Sequence, residues 1–166
     1  MAVYHAEITI QSQMQVTFDD VTEKLYDELR SSEIKNGILV AYSQHTSCSV
    51  FIQEDSEELT YKNIPLILQD TINCLEKIIP SCEYEGQYLH PGAFHVQQAQ
   101  RLRKEEKVWC LNTDGHIKSS IMGRSETIPV VDGGLMLGEF GRVYFADFDK
   151  TRARERIMHI QIVGEK

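Results

Sequence analysis

Residues 112–123 read NTDGHIKSSIMG, which sets an amide, a carboxylate, an imidazole, an amine and two serine hydroxyls ahead of Arg124. Such a set can hold a phosphate, carry a metal or move a proton. If HIKSSIMG opens a short helix, the free N–H groups of its first turn, Lys118 and the hydroxyls of Ser119 and Ser120 suit a phosphate or carboxylate. Gly123 then ends the turn. The string has no glycine-rich phosphate motif, so it also reads as a polar turn entering a strand.

Histidines supply the other chemistry. His45 in SQHTSCSV, His90 in YLHPG and His116 all sit among polar neighbours where strands are expected to begin or end. Neutral imidazole is the commonest metal ligand and the side chain most easily set for proton transfer near pH 7, so the three can form one site. Their spacing does not demand it, since no H-E-x-x-H or similar local pattern occurs. His5 and His159 fall on the polar faces of alternating segments and read as solvent-exposed; His95 is read the same way. Arg152, Arg154 and Arg156 share one parity. A guanidinium fork takes phosphate oxygens in pairs, while the structural reading of such a row is a solvated strand edge that deters aggregation.

These residues need elements to position them. Ala6, Ile8 and Ile10 alternate with His5, Glu7, Thr9 and Gln11, the period of a half-buried strand. Asp20 and Glu23 form a capping pair for a helix through Val21, Leu25 and Leu29, stopped by Asn36-Gly37. Ile38–Ser43 is a continuous apolar run, read as a buried central strand. Ser49–Gln53 is a further strand, and the acidic cluster after it, Glu54 to Glu58, reads as a helix N-terminus. Leu68, Ile72, Leu75 and Ile79 mark a second helix between Pro65 and Pro80. From Ser81 to Leu111 periodicity fades, apart from a charged helical candidate in VQQAQRLRKEEK. Asp132-Gly133-Gly134 is a hairpin signal, and Arg142–Phe148 and Arg156–Val163 alternate as strands. About seven strands and two solid helices predict an α+β protein built on an antiparallel sandwich.

A chain of 166 residues is sized for one domain. The net charge of -8 opposes nucleic-acid and anionic-membrane partners, which reward Lys and Arg. No apolar run approaches the roughly 20 residues that span a bilayer, and MAVYHAEITIQ lacks the order of a signal peptide, so a cytoplasmic protein is expected. Cys48, Cys74, Cys82 and Cys110 form no C-x-x-C pair and read as buried or incidental thiols.

QHTSCSVFIQED, the long block NTDGHIKSSIMGRSETIPVVDGGLMLGEFGRVYFADFDKTRAR and the closing V-G-E together resemble the YjbQ-like family, also called the secondary thiamine-phosphate synthase family. The blocks HTS at His45 to Ser47 and GHIKSS at Gly115 to Ser120 carry most of it. The resemblance implies a single domain over residues 1–166, a jelly-roll-like antiparallel β-sandwich with two main flanking helices, and assembly as a homotrimer. It implies a pocket to which His45, His90 and His116 contribute, with Glu54 matching the glutamate after the histidine strand, and a divalent metal (Zn, Mn or Ni) held by those three histidines. The activity attached to the family name joins a pyrimidine diphosphate to a thiazole phosphate and releases pyrophosphate. Departures fall at Phe140 and Gly141, where the family carries Trp-Gln, and at Lys150-Thr151, where it carries Gly-Pro.

The leading expectation is an enzyme acting on a phosphorylated small molecule. His45 and His116 serve as acid/base groups or metal ligands, Glu54 and Asn112 orient the histidines or accept a proton, and Ser47, Lys118, Ser120, Arg152 and Arg154 hold phosphate. The alternatives are a trimeric small-anion or metal-binding protein without turnover and a metal-dependent hydrolase.

Overall fold

The computed structural model describes residues 1–166. Eight strands form two antiparallel sheets. The larger has the order β1 (Ala2–Gln11), β8 (Glu155–Glu165), β3 (Asn36–Ser43), β5 (Ser125–Val131) and β6 (Gly134–Leu135). The smaller is β2 (Thr17–Asp20), β7 (Gly141–Asp147) and β4 (Cys48–Glu54). Four α-helices complete the chain: α1 (Thr22–Ser32), α2 (Leu66–Ile78), α3 (Ala93–Arg103) and α4 (Thr113–Met122). The fold is thus α+β with antiparallel sheets, and it carries two helices, α3 and α4, beyond the two main ones expected.

Period-2 patterning decides which sheet face is buried. Ile8 and Ile10 of β1, Leu39 and Ala41 of β3, Ile128 and Val130 of β5, and Met158, Ile160 and Ile162 of β8 all point inward. They meet Val21, Leu25 and Leu29 from α1 and its entry, and Cys48, Val50, Val143 and Phe145 from the small sheet, in one core of 18 residues. The opposite face of the small sheet supplies Phe51, Tyr144 and Ala146 to a second cluster with Leu68, Leu75 and Ile79 from α2 and its end. The small sheet is therefore buried on both sides. The large one is not: Ile38 and Tyr42 are 44% and 38% exposed, so the run read as a fully buried strand has one open face.

Some boundaries also move. α1 ends at Ser32 with Glu33 in the left-handed conformation, and Asn36-Gly37 begins β3 instead of stopping the helix. Gly37 is needed there because a Cβ would lie 2.1 Å from the Val163 carbonyl oxygen. The Asp20–Glu23 capping pair does not form: the N-cap is Val21, with no side-chain cap bond, and Asp20 accepts the Thr22 N–H at 2.9 Å just ahead of the helix. The acidic residues after β4 lie in a loop, and α2 begins only after Pro65. The hairpin forms as read, with Asp132 (φ 49) and Gly133 (φ 77) between β5 and β6. The four thiols are free, three of them buried; burial pushes the Cys48 thiol up to about 12. No helix is long and apolar enough to cross a membrane.

Candidate functional site

The NTDGHIKSSIMG stretch is a helix, and its periodicity divides its chemistry between two sides. α4 starts at Thr113, so the His116 N–H is already bonded to the Asn112 carbonyl oxygen at 3.2 Å and is not a free first-turn donor. One side of the helix, Asp114, Gly115, Lys118 and Ser119, is buried. Lys118 Nζ donates to Glu76 Oε1 at 2.5 Å and Asp114 Oδ2 at 3.0 Å, as a buried ammonium must in order to remain charged. The Ser119 hydroxyl donates to the Cys48 carbonyl at 2.6 Å. A Cβ on Gly115 would sit 3.1 Å from the Phe148 carbonyl carbon and oxygen, so glycine lets the helix lie close against the end of β7. The other side, His116, Ser120 and the following Arg124, lines a cavity of about 750 Å³, within the usual size range of small-molecule sites.

Opposite α4 the cavity is bounded by His90, His95, Arg103 and Trp109 from the segment around α3, and by Thr46 and Arg154 from loops at the strand ends. Three imidazoles gather: the His90 ring lies 4.7 Å from that of His95 and 6.1 Å from that of His116, both edge to face. The Thr113 hydroxyl donates to the His90 carbonyl at 2.6 Å, and its oxygen lies 2.8 Å from His90 Nδ1. A carbonyl cannot donate, so the single hydroxyl proton is committed and Nδ1–H of His90 must be the donor to Thr113. That leaves Nε2 of neutral His90 with its lone pair. Partial burial, with His95 and His116 adding to it, lowers the His90 pKa and favours this neutral form.

Cationic groups surround the histidines. Arg103, Arg124 and Arg154 line the cavity against one carboxylate, Glu105. Glu105 is paired at 3.2 Å with Arg103 and at 2.9 Å with Arg152, whose guanidinium lies 4.3 Å from the centre of the Trp109 ring. Burial alone would raise the Glu105 pKa, but hydrogen bonds from Arg103 and Arg152 bring it below the ordinary value. Arg154 pairs with buried Asp149 at 3.0 Å, and Asn112 donates to the same Asp149 oxygen at 3.0 Å. For Asp149 too, burial works upward, and hydrogen bonds from Thr151 and Asn112 outweigh it, so the pKa is lowered. Arg124 forms no ion pair, and the buried Nε of Arg154 has no hydrogen-bond partner.

Of the expected site residues, the structure brings His90, His116, Asn112, Ser120 and Arg154 to the cavity. Arg152 stands behind Trp109. His45 is elsewhere occupied: its Nε2 accepts the Ile157 N–H at 3.0 Å, and desolvation, with Arg156 nearby, lowers its pKa. The structure therefore does not bring His45 to the cavity with His90 and His116. Ser47 is buried between Asp147 and Arg156, each at 3.1 Å, and serves that ion pair. Lys118 is turned away from the cavity, and exposed Glu54 makes no hydrogen bond to a histidine. His95, Arg103, Trp109 and Arg124 were not expected here. The one available signal was Trp109, the single tryptophan, in the short apolar run Val108–Leu111 that follows the charged RLRKEEK.

A family described as UPF0047 protein YjbQ-like matches residues 6–165. The chain belongs to the YjbQ-like family. YjbQ-like relatives include a UPF0047 protein of Methanothermobacter thermautotrophicus, 27% identical over 99% of this chain and 95% of its own length. Another, from Methanocaldococcus jannaschii, is 31% identical over 89% of this chain and 85% of its own length. The fold is shared with a crystal structure of a YjbQ-like protein of unknown function from Sulfolobus solfataricus, with a TM-score of 0.74 at 18% identity over 99% of both chains. A hypothetical protein from Aeropyrum pernix gives 0.71 at 25% identity, over 98% of this chain and 99% of that one.

Proposed function

We propose that this YjbQ-like protein is an enzyme that binds a phosphorylated small molecule in the cavity beside α4 and uses His90 as its proton-handling group. The observation that carries the reading is the convergence of Arg103, Arg124 and Arg154 with three imidazoles in a chain whose net charge is -8. A local excess of cations in an acidic protein concentrates anions at that place. The unpaired guanidinium of Arg124 and the unsatisfied Nε of Arg154 are donors that phosphate oxygens would accept. Trp109, with Arg152 on one face, offers an aromatic wall to a heterocycle.

In a displacement at a phosphorylated substrate, the protein's work is to position the reactants and stabilise charge on the leaving oxygens. The arginines do the second. Neutral His90 accepts a proton at Nε2 while Thr113 holds its Nδ1–H, and His116 and His95 stand close enough to share that role. Thiamine-phosphate synthesis is the finer form of the proposal. In it the thiazole nitrogen forms a bond to the methylene carbon of the pyrimidine diphosphate, the C–O bond breaks, and pyrophosphate leaves with the electron pair. The thiazole nitrogen has no proton to lose, so in this reaction the proton that His90 has taken up at Nε2 from water passes to the departing pyrophosphate. No step above requires a divalent metal at His90 and His116. Assembly as a homotrimer in the cytoplasm is part of the same proposal.

Trp109 gives the test. Its fluorescence should report saturable binding of inorganic pyrophosphate, and Arg124→Gln should weaken that binding. Removing one charge-assisted contact costs about 1.5–3 kcal/mol, or ~10–100-fold in Kd. ³¹P spectra of the pyrimidine diphosphate and thiazole phosphate incubated with the protein then test turnover. Binding without product in any such mixture would leave the anion-binding protein in place of the enzyme.

A further inference from the structure

The histidine set with metal-ligand geometry lies outside the cavity, since none of its members is among the lining residues. On the open face of the large sheet, His5 and Glu7 of β1 and His159 of β8 bring three ligand atoms within 4.8 Å of one another. No other group of histidine, cysteine and carboxylate side chains does so. We infer that His5, Glu7 and His159 form a binding site for a divalent transition-metal ion of the zinc type.

Strand geometry builds the site. His5 and Glu7 are two residues apart and so share a face. Antiparallel pairing sets Glu7 directly opposite His159 and leaves His5 on the diagonal. His159 Nδ1 is 3.3 Å from Glu7 Oε1, and the two imidazoles lie 5.8 Å apart in a near-parallel arrangement. Ligands on a tetrahedral ion with bonds of about 2.0–2.1 Å stand ~3.4 Å from each other. The His159–Glu7 pair already meets that spacing, and exposed His5 closes the remainder by a side-chain rotation. Two imidazoles and one carboxylate suit zinc and its neighbours in the first transition row, not magnesium or calcium, which take oxygen ligands. Water completes the fourth position. Tyr42, whose ring lies 6.4 Å from that of His159, walls the site on the β3 side.

A metal here would pin β1, an edge strand, to β8, its only neighbour in the sheet. Binding to the folded chain alone stabilises it by mass action. With Zn²⁺ at 100 times its Kd, the unfolding midpoint of tag-free protein should rise by about 5–10 °C.

The experiment is calorimetric titration of Zn²⁺ into tag-free protein, beside His159→Gln, Glu7→Gln and His90→Gln. One equivalent should bind, weakened at least about tenfold by His159→Gln and Glu7→Gln and unchanged by His90→Gln. Glu7 and His159 face away from the core, so their substitutions leave it intact, and the absorption bands of Co²⁺ substituted for zinc report directly on nitrogen ligation. Saturable binding that survives His159→Gln but disappears in His90→Gln would move the metal to the cavity and overturn the inference. So would the absence of any saturable binding to wild-type protein.

Discussion

Replacing Lys118 with methionine separates a structural lysine from a phosphate-binding one. Its ammonium joins Asp114, 3% exposed, and Glu76, 33% exposed. The two carboxylates respond differently to its loss. Glu76 still accepts the Ser81 N–H and hydroxyl, each at 2.8 Å, and can turn to water. Asp114 has no such outlet and would be left as an uncompensated buried charge. Breaking a buried pair costs about 3–5 kcal/mol, and with Glu76 free to relax the lower end applies, about 3 kcal/mol. For a chain of this size that is a fall of about 6–12 °C in Tm. Thermal melts and urea unfolding at fixed m-value would measure it. The double variant Lys118→Met with Asp114→Leu removes the stranded charge and should regain at least about half of the loss. A single variant within about 1 kcal/mol of wild type, together with reduced pyrophosphate affinity, would refute the reasoning and return Lys118 to the phosphate site.

Three further outcomes are expected. His45 and His90 both have lowered pKa values, so below about pH 6.5 the unfolded chain takes up protons that the folded one refuses, and stability falls as pH drops from about 7.5 to about 5.5. His45→Asn should flatten that slope in urea midpoints; an unchanged slope would deny the Ile157 N–H to His45 bond its part. Asp149, lowered from its ordinary value, adds stability that is lost only below about pH 4, so it does not disturb this window. Bound pyrophosphate should raise the His90 pKa, so its affinity should increase as pH falls through about 6.5, and fluorescence titrations at two pH values would register the change. Sedimentation should give three chain masses; a single chain mass would remove the trimer from the proposal.

Much of the fold was legible because period 2 fixes a sheet face and Asp132-Gly133 fixes a hairpin. The α4 helix was harder to read: its hydrophobic positions are sparse, and its polar residues divide between ion pair, backbone contact and cavity. The helical period was nonetheless informative, since Lys118 lies two residues from His116 and so cannot share its face. His45 and Ser47 stand beside each other in an attractive motif, yet one satisfies the Ile157 N–H and the other the Asp147–Arg156 pair. Those partners are more than 90 residues away in sequence, beyond the reach of local spacing. His95 joins the site only because α3 turns it toward His90, and α3 has too weak a stripe to announce its orientation. The His5, Glu7 and His159 cluster was hidden for a similar reason: it exists only in the register of the first strand against the last.

Two-dimensional ¹H–¹⁵N spectra of the histidine side chains, recorded with and without inorganic pyrophosphate, test the central claim most directly. The account predicts neutral His90 protonated at Nδ1 in the free protein, and shifts on binding at His90, His95 and His116 while His5, His45 and His159 stay in place. Shifts confined to His5 and His159, or a free His90 protonated at Nε2, would contradict it.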